Sequence, residues 1–357
     1  MDTGIAGDAL KLSICIPTYN RAEFLPATLE SIAAQWTDGL ELTISDNAST
    51  DDTQRIVEGY RSRLGAVTYF RWDTNQGADR NYLKSVEIAT GDYCWILGSD
   101  DPIASGAVEM LLAAIRERAP TILLFNRMEC SRDLTPIRED RFIDIGDAER
   151  ATYDFSRPDV LERYLEDARS MCATFSYLSS MAFSRETWNS AGEYEPLIGT
   201  LYVHSYKLLL ACARGATLEY INRPLVEYRL GNDAFRDRGL AKRVLIDLDG
   251  YARLAEACFG ADRPRCRIAL LAVLRREYPL ARVLRYQGVL GADPAWPDIV
   301  RRLGTDVGHS RAALWIAAFI GRSRPIVNFS FWFRDVRARR AGRRDAARAA
   351  KRGNAVS

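Results

Sequence analysis

The first 126 residues alternate short apolar runs with longer amphipathic ones, and this alternation restricts the chain to a sheet of mostly parallel strands covered by helices on both faces. Residues 11–17 (KLSICIP) read as a buried strand that Pro17 stops. Residues 23–36 carry Phe24, Leu25, Leu29 and Ile32 at helical spacing. Residues 41–46 form a second strand, with Ser49, Thr50, Asp51 and Asp52 as the N-cap of a helix reaching about Leu64. Strands at 67–72, 92–97 and 121–126 alternate with helices at 78–90 and 103–118. Further on, the pattern predicts helices at 157–169 and 201–214, and extended pieces at 171–184, 216–220 and 225–230. Beyond about residue 235 the texture turns helical and rich in Ala, Arg and Leu.

In such sheets ligands bind beyond the carboxyl ends of the strands. Four polar clusters fall there: Thr18 to Arg21, Ser45 to Asn47, Asp73 to Gly77, and Gly98 to Asp101. Asp100 and Asp101 follow directly on a buried strand. They suit a hard divalent cation, which takes oxygen ligands from one or two carboxylates and from substrate phosphates. The alternative for Asp101-Pro102 is to start the next helix. Asp46 ends a strand where a ligand donor can reach it; its other use is helix capping, which Ser49 or Thr50 can also perform. Thr18 and Tyr19 can border a base. Gly77 allows close backbone approach, and Arg80 can meet a phosphate.

The 357 residues, 47% of them hydrophobic, suffice for one large domain with an extension. Seven cysteines without a CxxC pair argue against a disulfide framework or a zinc site and fit a reducing cytoplasm. The first ten residues lack the features of a signal peptide, and the apolar run at 312–320 is too short to span a bilayer. Between Phe333 and Gly353, nine Lys/Arg face only Asp335 and Asp345, a net +7. With +2 for the whole chain, the remainder carries about −5. This tail reads either as a solvated terminus or as an attachment to an anionic membrane surface, with Trp315, Phe331, Trp332 and Phe333 as upstream anchors. Nucleic acid is the less favoured partner, because no aromatic residue follows Phe333.

Taken together, Ile16 to Arg21, Ser45 to Asp52, Asn75 to Asn81 and Leu97 to Asp101 resemble glycosyltransferase family 2, the inverting transferases of GT-A fold. The resemblance covers residues 12–107 well and continues weakly through 192–195 and 228–229. The stretch from Tyr93 to Asp101 is similar to the abequosyltransferase-like branch that builds bacterial surface polysaccharides. It implies a Rossmann-like α/β domain with a mostly parallel central sheet at 1–235, a helical region at 236–333 and a basic tail at 334–357. It implies an inverting hexosyl- or deoxyhexosyl-transferase, using a UDP-, CDP-, GDP- or dTDP-sugar, a lipid-linked glycan acceptor, and Mn2+ or Mg2+. Such an enzyme would sit at the inner face of the plasma membrane. The implied nucleotide site is Pro17, Thr18, Tyr19, Asn20, Arg21, Asp46, Asn75, Gly77, Arg80, Ser99 and Asp100. The implied metal ligands are Asp100, Asp101 and His204.

The chain departs from the family pattern twice. Gly98 stands where the metal motif usually has Asp, and His204-Ser205 stand where an acidic pair supplies the base. His204 is then one candidate base, with a pKa near working pH, and Glu193 and Glu195 are the others. These departures motivate a second reading, a non-catalytic nucleotide-sugar-binding or scaffold protein of the same fold.

Overall fold

The computed structural model describes residues 10–192, 195–232, 239–310 and 312–314. Glu193 and the aromatic and basic tail therefore lie outside the described residues. Two compact units are present. The first holds the chain up to Gly239 together with Leu245–Glu277, and the second holds Leu240–Val244 and the chain from Tyr278.

The first unit is built on one mixed sheet. Strands β1 (Leu12–Thr18), β2 (Leu40–Asp46), β3 (Val67–Arg71) and β4 (Tyr93–Ile96) form a parallel block in the order β3-β2-β1-β4. Helices α1 (Leu25–Ala33), α2 (Thr53–Tyr60) and α3 (Ala78–Glu87) connect them. Because β1 and β2 are buried at every position, their sequences read as continuous apolar runs rather than alternating ones. Leu12, Ile14, Ile16, Leu42, Ile44 and Trp95 join Leu25, Leu29 and Ile32 of α1 in one core.

Helix α4 (Ala107–Arg118) leads to β5 (Ile122–Cys130). Between β4 and β5 lies β8 (Met181–Ser184), antiparallel to both. β5 pairs in parallel with the long β9 (Thr217–Arg229), which β7 (Arg150–Asp154) flanks. β6 (Pro136–Asp140) pairs with β5 from the side. Six of the nine described strands thus point one way, as the alternation predicts. Helices α5 (Val160–Asp167), α6 (Arg185–Ser190) and α7 (Val203–Ala213) follow the later strands, then α8 (Leu240–Phe259) and α9 (Pro264–Glu277). The second unit contains α10 (Leu280–Leu290) and α11 (Trp296–Thr305).

Several local expectations need correction. Pro17 does not stop β1: as the penultimate residue it pairs in register with Ser45, and the strand ends one residue later. Residues 171–184 are not one extended piece. They form two one-turn 3-10 helices, Met171–Thr174 and Leu178–Ser180, before β8. The predicted pieces at 216–220 and 225–230 are a single strand, β9, whose register shifts near Asn126. Strands β6 and β7 are absent from the sequence reading, because their half-exposed, charged residues carry little apolar signal.

Among the described residues, no helix is long and apolar enough to cross a membrane.

Candidate active site

The order β3-β2-β1-β4 reverses direction of growth at β1, so the crevice at the carboxyl ends of β1, β2 and β4 is the topological switch point of the sheet. Thr18 pairs with Asp46 and Asp46 with Arg71 at that edge. Three of the four polar clusters meet there through an interlocked set of hydrogen bonds. The Asn20 N–H donates to Ser49 Oγ at 2.9 Å, and the Thr50 N–H donates to Asn20 Oδ1 at 2.8 Å. Asn20 adopts a left-handed φ of 52°, a conformation Asn tolerates better than most residues. Asn47, which the candidate set omits, pins the third cluster. Its Nδ2 donates to Asn75 Oδ1 (2.9 Å), and its Oδ1 accepts the Gln76 N–H (2.8 Å). Asn75 also accepts the Gly77 N–H at 2.9 Å. Asn75 is thus a turn organiser, and Gly77, with φ 84° and open space where a Cβ would stand, presents bare backbone at the start of α3.

Asp46 is fully buried. Its Oδ1 accepts the Ser49 N–H at 2.8 Å and its Oδ2 the Tyr69 hydroxyl at 2.5 Å, with Arg71 Nε 3.7 Å away. Asp46 thus holds the loop that follows β2, and the Thr53 N–H at the start of α2 goes to Asp51 Oδ1 at 3.1 Å rather than to Ser49 or Thr50. Burial and the Asp46 carboxylate together push the Tyr69 phenol well above its usual range. Beside this pair, the Thr18 hydroxyl and the Trp72 indole N–H are buried without a hydrogen-bond partner. Unpaired buried donors are uncommon, and such donors at a crevice suit a ligand that would satisfy them. Tyr19 stands next to Thr18 and is 43% exposed.

The turn after β4 separates the two carboxylates. Ser179 Oγ accepts the Gly98 N–H at 2.8 Å and donates to Asp101 Oδ2 at 2.5 Å, while the Ser179 carbonyl accepts from the Trp95 indole at 2.8 Å. Asp101 is 5% exposed, and burial, then the neighbouring Asp100, pushes its pKa up to about 7. It faces into the fold, and its carboxylate closes the turn. Ser99 is also buried.

Asp100 is the open member. Burial raises its carboxyl, while Arg21 foremost, then Asn232 and Arg229, draw it back. Asn232 Nδ2 donates to its Oδ2 at 2.6 Å. The guanidinium groups of Arg21, Arg132 and Arg229 gather over the Phe24 ring at 5.9, 5.8 and 5.2 Å. Arg229 is 6% exposed and its Nε has no partner. One half-buried carboxylate beside the Arg21 and Arg229 cations fits a polyanionic ligand together with a hard divalent ion that completes its shell from that ligand's oxygens. Arg229 and Asn232 escaped the candidate set because the only sequence signal for them is Tyr228-Arg229 at the end of a late strand.

His204 sits deep in the fold. It lies at the start of α7, 1% exposed, with its ring centroid 5.7 Å from that of Tyr82 and 6.4 Å from that of Tyr202. Burial pushes its pKa down to about 3, against a weaker opposing pull from the backbone at Ser176 and Phe175. A ring so weakly basic does not have the near-neutral pKa that made it a candidate base. Among the described residues no three His, Cys, Asp or Glu side chains gather to hold an ion. Neither ring nitrogen has a hydrogen-bond partner. The folded pKa lies below the 6.5 of a free imidazole, so below about pH 6.5 the unfolded chain binds a proton that the folded chain refuses. This contribution is whole above that pH and falls as the pH drops toward 3, by up to about 1.4 kcal/mol per pH unit. His204→Phe is expected to remove that slope in denaturant titrations between pH 6.5 and 4.5. Parallel stability–pH curves for the two proteins would refute the assignment.

Of the remaining carboxylates, Glu195 is 68% exposed at its side chain and forms a 2.7 Å ion pair with Arg80 Nη2. The structure thus joins a residue expected on the phosphate side to one expected on the acceptor side.

A family model described as glycosyl transferase family 2 matches residues 13–185. The chain is 39% identical over 272 residues to abequosyltransferase RfbV of Salmonella typhimurium, covering 75% of this chain and 81% of that relative. Its fold is similar to that of S. aureus TarS 1–349 in complex with UDP-GlcNAc, with TM-score 0.61 and 16% identity over 87% of this chain and 89% of the other. It is also similar to that of the mannosyltransferase PcManGT from Pyrobaculum calidifontis in complex with GDP-Man and Mn2+, with TM-score 0.53 and 17% identity over 90% and 83% of the two chains.

Proposed function

Because this chain belongs to glycosyl transferase family 2 and is a glycosyltransferase of bacterial glycan synthesis, we propose that it moves a deoxyhexosyl or hexosyl group, with inversion, from a nucleotide sugar to a glycan hydroxyl in surface-polysaccharide assembly. The observation that carries the reading is the switch-point crevice, where unpaired buried donors lie on the β1–β3 side and Asp100 lies beside the Arg21 and Arg229 guanidinium groups on the β4 side. Thr18, Tyr19 and Trp72 would take the base, with Asp46 holding Tyr69 and the loop behind it. Pro17 and Asn20 shape that loop, Gly77 and Ser99 keep the backbone close, and Arg21 and Arg229 would take the diphosphate. Asp100 would hold Mn2+ or Mg2+, which when bound neutralises charge on the leaving diphosphate as a Lewis acid. Bound Mn2+ in the PcManGT complex supports this assignment.

The acceptor oxygen would attack the anomeric carbon on the face opposite the nucleotide. Its proton would pass to a carboxylate, for which Glu195 is the described candidate; Glu193 is the other. We assign residues 1–235 to catalysis, 236–333 to a helical region and 334–357 to attachment at an anionic, cytoplasmic membrane face carrying a lipid-linked acceptor. Sedimentation with anionic vesicles at low salt, equal with and without residues 334–357, would dispose of that attachment.

The core reading is tested by a thermal-shift screen with UDP, GDP, CDP and dTDP in Mn2+. One nucleotide is expected to stabilise the chain, by about 2.7 kcal/mol at a hundredfold excess over Kd. That nucleotide's sugar should be hydrolysed in a metal-dependent way. Binding without hydrolysis or transfer would favour the scaffold reading, which the two departures at Gly98 and His204 motivate.

A further inference from the structure

We propose that Asp79, Tyr202 and Gly250 are positioning residues that together fix the loop 195–203 beside the donor site as the wall receiving a hexopyranoside acceptor. This rests on the transferase reading above. The loop is held from two sides. From the donor side comes α3, whose first turn carries both residues involved. Arg80 pairs with Glu195 at the head of the loop. Asp79, 2% exposed, accepts the N–H groups of Gly199 (2.7 Å), Leu201 (2.9 Å) and Val203 (3.4 Å). Val203 is the first residue of α7, so one carboxylate serves the N-termini of both α3 and α7, where negative charge is favoured. Between those bonds Leu201 holds a left-handed φ of 70°. That conformation is costly for a residue with a Cβ and persists only where the surroundings enforce it.

From the opposite side comes α8. Tyr202 is 2% exposed, and its ring occupies the space above Gly250: a Cβ at that position would lie 2.1 Å from its Cδ2 and 2.6 Å from its Cε2. The Tyr202 hydroxyl donates to Asp247 Oδ1 at 2.5 Å, and Tyr251 packs edge-on at 5.4 Å. Asp247, Gly250 and Tyr251 stand at i, i+3 and i+4, one helix face. Arg253 Nη1 adds a bond to the Pro196 carbonyl at 2.6 Å. The helix therefore sets the loop's position, and glycine is the one residue that leaves room for the ring. Since Asp79 and Arg80 immediately precede Asn81, whose Nδ2 donates to the Thr18 carbonyl at 3.2 Å, the same turn of α3 that opens at the donor crevice also sets the loop, and the two substrates' walls share one anchor.

The test compares wild type with Tyr202→Phe, Gly250→Ala and Asp79→Asn. Octyl α-mannoside, octyl β-galactoside and octyl α-rhamnoside serve as acceptor probes with the nucleotide sugar that the wild type hydrolyses fastest. Tyr202→Phe removes only the hydroxyl and is expected to raise acceptor KM about five- to tenfold. Its amides at 199–203 should exchange faster with deuterium, while nucleotide affinity and donor hydrolysis stay within twofold. Gly250→Ala should act in the same direction and more strongly; should it fail to fold, Tyr202→Phe and Asp79→Asn decide. Unchanged acceptor KM in folded variants with accelerated exchange would overturn the proposal. So would a wild type that hydrolyses donor yet glycosylates none of the three probes. If the wild type binds and hydrolyses no nucleotide sugar, the transferase reading itself falls, a result distinct from either.

Discussion

Asp100→Ala is expected to lower metal-dependent hydrolysis and transfer by about a hundred- to a thousandfold, the scale for removing a group that stabilises developing charge. The fold should survive. Asp100 is the half-buried carboxylate of the turn, its side-chain donor is Asn232, and its removal relieves a charge that burial disfavours. The companion Asp101→Asn separates the two acids. An amide oxygen still accepts from Ser179, so the turn closes, and Mn2+ affinity in the presence of the bound nucleotide should stay within a fewfold of wild type. Mn2+ titration followed by paramagnetic resonance reads both variants. Near-normal, EDTA-sensitive turnover in Asp100→Ala would remove that residue from the site. Loss of Mn2+ binding in Asp101→Asn would return Asp101 to the ligand set.

Gly98→Asp restores the residue that the family motif usually carries, and it is expected to damage the protein. A Cβ at position 98 would lie 2.5 Å from Asp101 Oδ2 and 3.1 Å from Ser179 Oγ. Asp101 would have to leave Ser179, and a second carboxylate would enter beside a buried one. Leaving a buried carboxyl without its hydrogen-bond partner costs about 1–3 kcal/mol, and adjacent like charges add to it. Gly98→Ala carries the steric part alone, about 1–3 kcal/mol. Urea unfolding should rank wild type above Gly98→Ala above Gly98→Asp. If Gly98→Asp unfolds at the wild-type urea concentration and binds Mn2+ more tightly, the lock described for Gly98, Ser179 and Asp101 is wrong. The departure at Gly98 is thus coupled to the inward turn of Asp101. In this chain the acid that follows the open carboxylate serves the backbone.

The α/β alternation through residue 126 was legible because β1, β2, β4 and the first half of β5 are buried at every position, with only the edge strand β3 half-exposed, and each helix shows one apolar stripe. The polar clusters at the strand ends were legible for the same reason, since parallel strands separated by helices must bring their carboxyl ends to one edge. The family followed from four such clusters in order. The sequence by itself therefore determined the parallel block β3-β2-β1-β4 and the presence of a donor crevice at its rim.

What each side chain does there was decided by the tertiary structure. Asp100 and Asp101 are neighbours of the same type, and only Ser179, which lies 78 residues further along, turns one inward. Asp46 looked free to meet a ligand until Tyr69 and the Ser49 N–H came within hydrogen-bonding distance. His204 has the right chemistry for a base in isolation, but burial beside Tyr82 and Tyr202 takes its basicity away. Arg229 and Asn232 reach Asp100 from the far end of β9, across a sequence separation no local pattern encodes. Burial, charge proximity and the occupancy of lone pairs are properties of the packed chain, and they choose among residues that the sequence presents as equals.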